Sequence, residues 1–287
     1  MRRFFLRMFL FLFLFVLFFA FFLKRVQLKH FFDLQYRKMT LPPAASLPPA
    51  VSLNVKNVEQ KSVVSSSLSA VQSVANSAIK EKITSSFPTQ DLPREINLAV
   101  PFVSQAPLKN WDAEHEETCE EAAVLMLGGF YQGIKKFTRQ EMEDKLQEII
   151  VWEKEKFGYF EDTTAEQTVQ ILREFFNLTG ARVYYDFSIA DIKKHLALGR
   201  PVIVPAAGKL LPNPYFRNGG PLYHMLVLKG YTKDGKFISN DPGTNTLGED
   251  FTYKLEALFN AIHDWRVDKD ILQGRRAMIV VENKAVE

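Results

Sequence analysis

The chain has 287 residues and a formal charge of +3, room for one sizeable domain plus appendages. Residues 1–40 hold eight Lys/Arg (Arg2, Arg3, Arg7, Lys24, Arg25, Lys29, Arg37, Lys38) against one acid, Asp33, so that stretch is +7 and the remainder is −4. The basic character belongs to the N-terminus and not to a groove in the main domain, which argues against nucleic acid as a partner; the single cysteine, Cys119, excludes an intramolecular disulfide.

The first segment, Phe4–Leu23, is almost wholly apolar, interrupted only by Arg7. Twenty residues at helical rise span roughly 30 Å, one bilayer core. A small-x-small cleavage site is missing, because Phe18 stands two positions before Ala20. The expectation is an uncleaved transmembrane signal anchor over residues 1–25. Basic residues flank the run on both sides, so the positive-inside rule decides weakly; the expected topology puts the domain outside the cytoplasm. Residues 26–95 are expected to be a juxtamembrane segment and linker. Eleven serines and one aromatic, Phe87, between residues 41 and 90 cannot supply a core, although Val55–Ile83 has weak helical spacing.

The folded domain is expected over residues 96–287. NLAVPFV reads as a strand and SQAPLKNW as a loop. A helix is predicted from Thr118 to about Leu127, ended by Gly128–Gly129, and another over Thr138–Phe157. A third starts at Thr163 or Thr164 and runs to Phe176. ARVYYDF is a strand, Ser188–Leu198 a helix with Gly199 past its end, and PVIVPA a buried strand. PNPYFRNGGPLY is a long loop. HMLVLKGYT and KFISND flank Lys233-Asp234-Gly235 as a hairpin. A helix near Leu255–His263 and a strand, AMIVVE, follow. Helices first and strands later imply an α+β fold, a helical lobe against a mostly antiparallel sheet.

The run HEETCEEAA, His115 to Ala123, has two readings. His115 and Cys119 are four apart, as ligands are on a zinc-binding helix; that requires the helix to cover 115–119. Alternatively Thr118-x-x-Glu121 is a capping box, and Cys119 is the first helical residue, where unpaired N–H groups and the helix dipole favour a thiolate. Glu120 and Glu121 oppose that effect, so an imidazolium is required nearby. His224 starts one hairpin strand and Asp241 ends the next. A four-residue loop closed by Tyr231 and Lys236, or a bulge, makes Asp241 a same-face diagonal neighbour of His224. His195 reads as solvated and His30 as close to the membrane, with His115 the serious competitor. Gln105, in the loop before the helix, could donate its amide to an oxyanion beside the Cys119 N–H.

VPFVSQAP (Val100–Pro107), Trp111, ETCEEAAVLM (Glu117–Met126), GRPVIV (Gly199–Val204), YHMLVLKGY (Tyr223–Tyr231) and FISNDPGT (Phe237–Thr244) together resemble the papain-like cysteine peptidases, and more closely the bacteriocin-processing, double-glycine-leader peptidase-like family. The resemblance runs from Asn97 to near Glu282. It implies a papain-like peptidase fold, Cys119 as nucleophile, His224 as base, Asp241 as its orienter and Gln105 as oxyanion donor. It further implies a peptide or protein substrate, with no metal or cofactor. The family pattern usually has Gly-Pro after the nucleophile; Glu120-Glu121 stand here instead. No transporter segments or nucleotide-binding loop follow, so a stand-alone, membrane-anchored relative is expected. A catalytically silent peptide-binding module and an acyl- or amidotransferase on the same fold remain open alternatives.

Overall fold

A computed structural model describes residues 24–25, 28–45 and 92–282. The anchor expected on Phe4–Leu23 and the weak helix of Val55–Ile83 lie outside the described residues. Among the described residues no helix is long and apolar enough to cross a membrane. Residues 28–45 and 94–282 belong to one compact unit.

The unit opens with helix α1, residues 28–40. Strand β1 (Ile96–Asn97) follows, then the helical lobe of α2 (Cys119–Tyr131), α3 (Arg139–Phe157) and α4 (Ala165–Glu174). The remainder supplies β2 (Ala181–Tyr185), α5 (Ile189–Ala197), β3 (Val202–Ala207), β4 (Tyr223–Tyr231), β5 (Lys236–Asn240), β6 (Phe251–Lys254), α6 (Leu255–Ala261) and β7 (Ala277–Val281). The strands form one antiparallel sheet in the order β2-β7-β3-β4-β5-β6, with β1 paired to the far end of β4. The α+β architecture follows from the sequence pattern. β3, β4 and β7 are buried at every position, as continuous apolar runs in a sheet covered on both faces should be.

α2 is buried from Cys119 to Phe130. It has apolar residues on every side, the composition of a core helix and not of a surface one. It packs between β4 and helices α3 and α4. The predicted end at Gly128–Gly129 is wrong, since the helix continues to Tyr131. The glycines serve packing here. A Cβ on Gly128 would lie 2.3 Å from the Phe176 ring, so only a bare backbone lets the Phe176 segment close on α2. Three other helices, α3, α4 and α5, start where their capping residues do: Thr138 with Glu141, Thr164 with Gln167 and Ser188 with Asp191 form reciprocal capping boxes.

Two strand assignments change. Of NLAVPFV only Asn97 lies in a strand, as the second residue of β1. Beyond it the hydrogen bonds divide between two neighbours: Leu98 N donates to Lys229 O at 2.7 Å, and Ala99 N to Ala45 O at 2.7 Å. Pro101 has no N–H to extend either ladder. Conversely, Phe251–Lys254, for which no element was expected, forms β6 and pairs with β5 over its whole length.

The β4–β5 register decides the site. The hairpin closes at Tyr231↔Phe237, one residue out of the register that the Tyr231/Lys236 loop would give, and a bulge between Leu228 and Gly230 then restores Val227↔Asn240. That pairing carries Asp241 to a position diagonal to His224, by the bulge instead of the loop.

Candidate active site

Gln105, Trp111, Cys119, Phe216, His224 and Gly243 line one cleft of about 610 Å³. Cys119 begins α2 as expected, but the proposed capping box does not form. Thr118 stands at the N-cap without a side-chain cap. Its hydroxyl donates to Gln105 O (2.9 Å) and His115 O (3.3 Å), tying the preceding loop to the helix start. Glu121 turns into the core, where its carboxyl meets that of Glu153. Among the described residues the four oxygens of this pair have no other hydrogen-bond partner, so the pair is satisfied only when it holds a shared proton. Burial pushes both pKa values up; the Glu153 carboxyl adds to the rise at Glu121, whereas at Glu153 the hydrogen bond with Glu121 opposes the rise and the Glu120 and Glu161 charges add to it.

The zinc-helix reading fails on geometry. α2 starts at Cys119, so His115 lies in the turn before it and not on the same helical face. The His115 ring is held between Asp112 Oδ1 (2.7 Å) and Glu143 Oε1 (2.9 Å). Burial alone would lower its pKa, yet these two carboxylates outweigh that and raise it. It is a buried ion-pair residue that braces the loop against α3. His195, expected in solvent, is instead half-buried with its ring centroid 5.3 Å from that of Tyr184, and burial lowers its pKa. His30, expected near a membrane, lies on α1 edge-on to Tyr215 at 5.0 Å and lines the cleft.

His224 is the second residue of β4, opposite Ala206 of β3. Its Nε2 is 2.9 Å from Asp241 Oδ1. A carboxylate only accepts, so Nε2 carries the proton and Nδ1 is left for another partner. Asp241 directly follows β5 and is wholly buried. Its Oδ1 also accepts from Gly243 N (3.0 Å), the turn expected of an Asp before Pro. Its Oδ2 accepts from Asn213 Nδ2 (3.0 Å) and Tyr253 OH (2.5 Å). Burial raises the Asp241 pKa, but the charge of His224 and these hydrogen bonds more than reverse it, leaving it below the ordinary carboxylate value. Phe216 packs edge-on against the His224 ring, with centroids 5.3 Å apart. A Cβ on Gly243 would meet both rings, at 3.0 and 3.1 Å, so glycine suits the close approach.

The thiol has a different partner from the one expected. Cys119 Sγ donates to Glu120 Oε2 at 2.9 Å, and no hydrogen bond joins it to His224 among the described residues. The Met225 backbone, next to His224 in sequence, acts weakly to lower the thiol pKa. Burial raises the thiol pKa well above its usual value, and the Glu120 and Glu121 charges add to that. Glu120 is itself buried and pushed well up, first by burial and then by Glu121. Gln105 is buried at the cleft with its amide NH2 donating to His115 O (2.8 Å) and Glu116 O (3.1 Å); its Oε1 has no partner among the described residues.

The structure thus gathers Cys119, His224 and Gln105 at one cleft with Asp241 behind the imidazole. It adds Asn213, Tyr253 and Phe216, which sequence reasoning did not single out. The apolar-aromatic loop PNPYFRNGGPLY was the only signal for two of them. Chemically, an imidazole fixed by a buried carboxylate beside a thiol at a helix start is the apparatus of nucleophilic acyl transfer.

The family model described as the Peptidase C39-like family matches residues 97–269. Among solved structures, the chain is similar to a putative C39-like peptidase from Bacillus anthracis, at 18% identity and a TM-score of 0.41, covering 66% of this chain and 98% of that one. It is also similar to the wild-type interpain A cysteine protease of Prevotella intermedia, at 20% identity and a TM-score of 0.26, covering 42% of this chain and 45% of that one. No curated protein matches the chain.

Proposed function

Since the chain belongs to the Peptidase C39-like family of papain-like cysteine peptidases, we propose that it hydrolyses peptide or isopeptide bonds with Cys119 as nucleophile, His224 as base, Asp241 as orienter and Gln105 as oxyanion donor. The observation that carries this reading is the buried His224–Asp241 pair at 2.9 Å, in the same cleft as the chain's one thiol. In the proposed cycle Cys119 leaves Glu120 and passes its proton to His224 Nδ1. The thiolate attacks the substrate carbonyl, and the Cys119 backbone N–H stabilises the oxyanion, joined by the Gln105 amide once it releases the loop carbonyls. Protonated His224 then gives its proton to the leaving amine, and water cleaves the thioester. We further propose that the activity is membrane-anchored and extracytoplasmic, on the strength of the apolar run Phe4–Leu23.

One observation favours a second reading, a peptide-binding module that does not cut. The thiol is held by Glu120 and both Gln105 donors are occupied, a resting arrangement short of two catalytic contacts. Incubating a mixed peptide library with the full chain in detergent, and reading new termini by mass spectrometry, separates the two. The peptidase reading expects cleavage by the wild type and none by a folded Cys119→Ala chain. Equal cleavage by both would overturn the proposed nucleophile, and peptide retention without cleavage would favour the module.

A further inference from the structure

Helix α1 is amphipathic in an unusual sense: its polar face is the one packed on the protein. His30, Asp33 and Arg37 share that face. Asp33 Oδ2 accepts from Tyr215 OH at 2.7 Å. Arg37 Nη1 donates to Leu247 O (2.9 Å) and Glu249 O (3.1 Å), and its guanidinium lies over Phe251, 5.3 Å from the ring centroid. His30 reaches the cleft. The opposite face carries Leu28, Phe31, Phe32, Tyr36 and Met39, spaced to form one stripe, and these five are between 55% and 76% exposed. A soluble surface helix puts such residues inward. This one is pinned by polar contacts and turns a contiguous apolar face outward.

Two further features identify what covers that face. Phe4–Leu23, a run of bilayer-core length, is separated from Leu28 by four residues. The five steps from Leu23 to Leu28 span at most about 18 Å when fully extended, so α1 cannot lie far from wherever that run resides. The rim of the stripe is basic: Lys24, Arg25, Lys29 and Lys38 are all exposed, and the one acid of the helix, Asp33, is turned inward on Tyr215. An apolar stripe edged with Lys and Arg suits an anionic lipid interface, where the ring edges and aliphatic side chains enter the acyl boundary and the cations meet the headgroups.

We propose that residues 28–40 are an interfacial helix that lays the Leu28/Phe31/Phe32/Tyr36/Met39 face on an anionic bilayer and thereby holds the Cys119 cleft, to which the opposite face of the same helix contributes His30, at the membrane surface. The substrates that reach such a cleft are the membrane-proximal segments of other proteins or peptides already bound at the lipid surface. The surface contact does not depend on the peptidase reading.

The test uses the full chain with Cys119→Ser, which removes the native thiol and any turnover, so that failure here is separate from failure of the peptidase proposal. Phe32→Cys, Met39→Cys and, as a solvent reference on α3, Glu148→Cys are each spin-labelled and reconstituted into vesicles of phosphatidylcholine with phosphatidylglycerol. Near-ultraviolet circular dichroism matching the unlabelled parent establishes that each chain is folded. Oxygen-over-nickel-chelate accessibility should be roughly fivefold or more higher at positions 32 and 39 than at 148, the signature of the headgroup–acyl boundary. Accessibility at both positions equal to that at 148 would overturn the proposal. So would dipolar broadening at 32 and 39 that grows with protein density, which would make the face a contact between copies of the chain.

Discussion

Asp241→Asn changes one atom at the point where four donors converge. His224 Nε2 and Gly243 N point at Oδ1, and Asn213 Nδ2 and Tyr253 OH at Oδ2. The amide oxygen of the variant can replace Oδ1, which leaves its NH2 facing the other two donors. Tyr253 can rotate its hydroxyl to accept. Asn213 cannot present its own oxygen, because Oδ1 already accepts from Tyr215 N at 3.0 Å. One buried donor is therefore left against another, at a cost of about 1–3 kcal/mol in stability. Separately, the imidazolium formed during turnover loses a charge-assisted partner, about 1.5–3 kcal/mol, which is roughly 10- to 100-fold in kcat/KM. Both effects are read on one preparation, by urea denaturation and by hydrolysis of a peptide found in the library screen. Asp241 is held below the ordinary carboxylate value, so its stabilising contribution is present above that value and is lost as pH falls through its lowered native pKa. The stability gap between wild type and variant should accordingly close as the solution is taken below about pH 4. Wild-type stability and wild-type rate in the variant at neutral pH would refute the role given to the carboxylate.

Three other perturbations bear on the same site. Glu120→Gln removes the charge beside Sγ while keeping its shape, so kcat/KM above neutral pH should rise several-fold; a fall would make Glu120 a participant in turnover. Glu153, pushed up to about 8, and Glu121, also raised, bind protons in the folded chain that the unfolded chain releases near pH 4–5. Stability should therefore fall as pH rises from about 4.5 through about 8, by up to about 1.4 kcal/mol per pH unit per group, and Glu153→Gln should flatten the profile; equal slopes in urea titrations would contradict the shared-proton pair. Gln105→Ala should lower kcat by about 10²-fold with KM little changed, whereas a loss confined to thermal stability would make Gln105 only a brace for the His115–Glu116 carbonyls.

Much of the chemistry was legible because it is carried by local signals. Cys119 falls at a helix start, and the His224–Asp241 relation follows from hairpin register. The bulge that sets this register is not visible in the letters of VLKGYTKDGK, since Lys229 becomes the extra residue only through its pairing environment. Thr118-x-x-Glu121 misled because a capping box and a core-facing acid have the same spelling. Which one forms depends on Glu153, thirty-two residues away. Gly128–Gly129 misled in the same manner: glycine ends helices at the surface, but in a buried helix it admits a neighbour, here Phe176. The docking of residues 28–45 was hidden too, because a helix whose polar face is the packed one carries the periodicity of an ordinary amphipathic helix and says nothing about which side faces the protein.

The most direct test is reaction of the full chain with a peptide bearing a thiol-reactive carbonyl electrophile, followed by mapping of the adduct. A single adduct on Cys119, formed rapidly by the folded wild type and at least about 10²-fold more slowly by His224→Ala, is the expected result. A folded wild type that stays unmodified while the same thiol reacts after denaturation, or an adduct that forms equally fast without His224, would contradict a thiol activated by this imidazole.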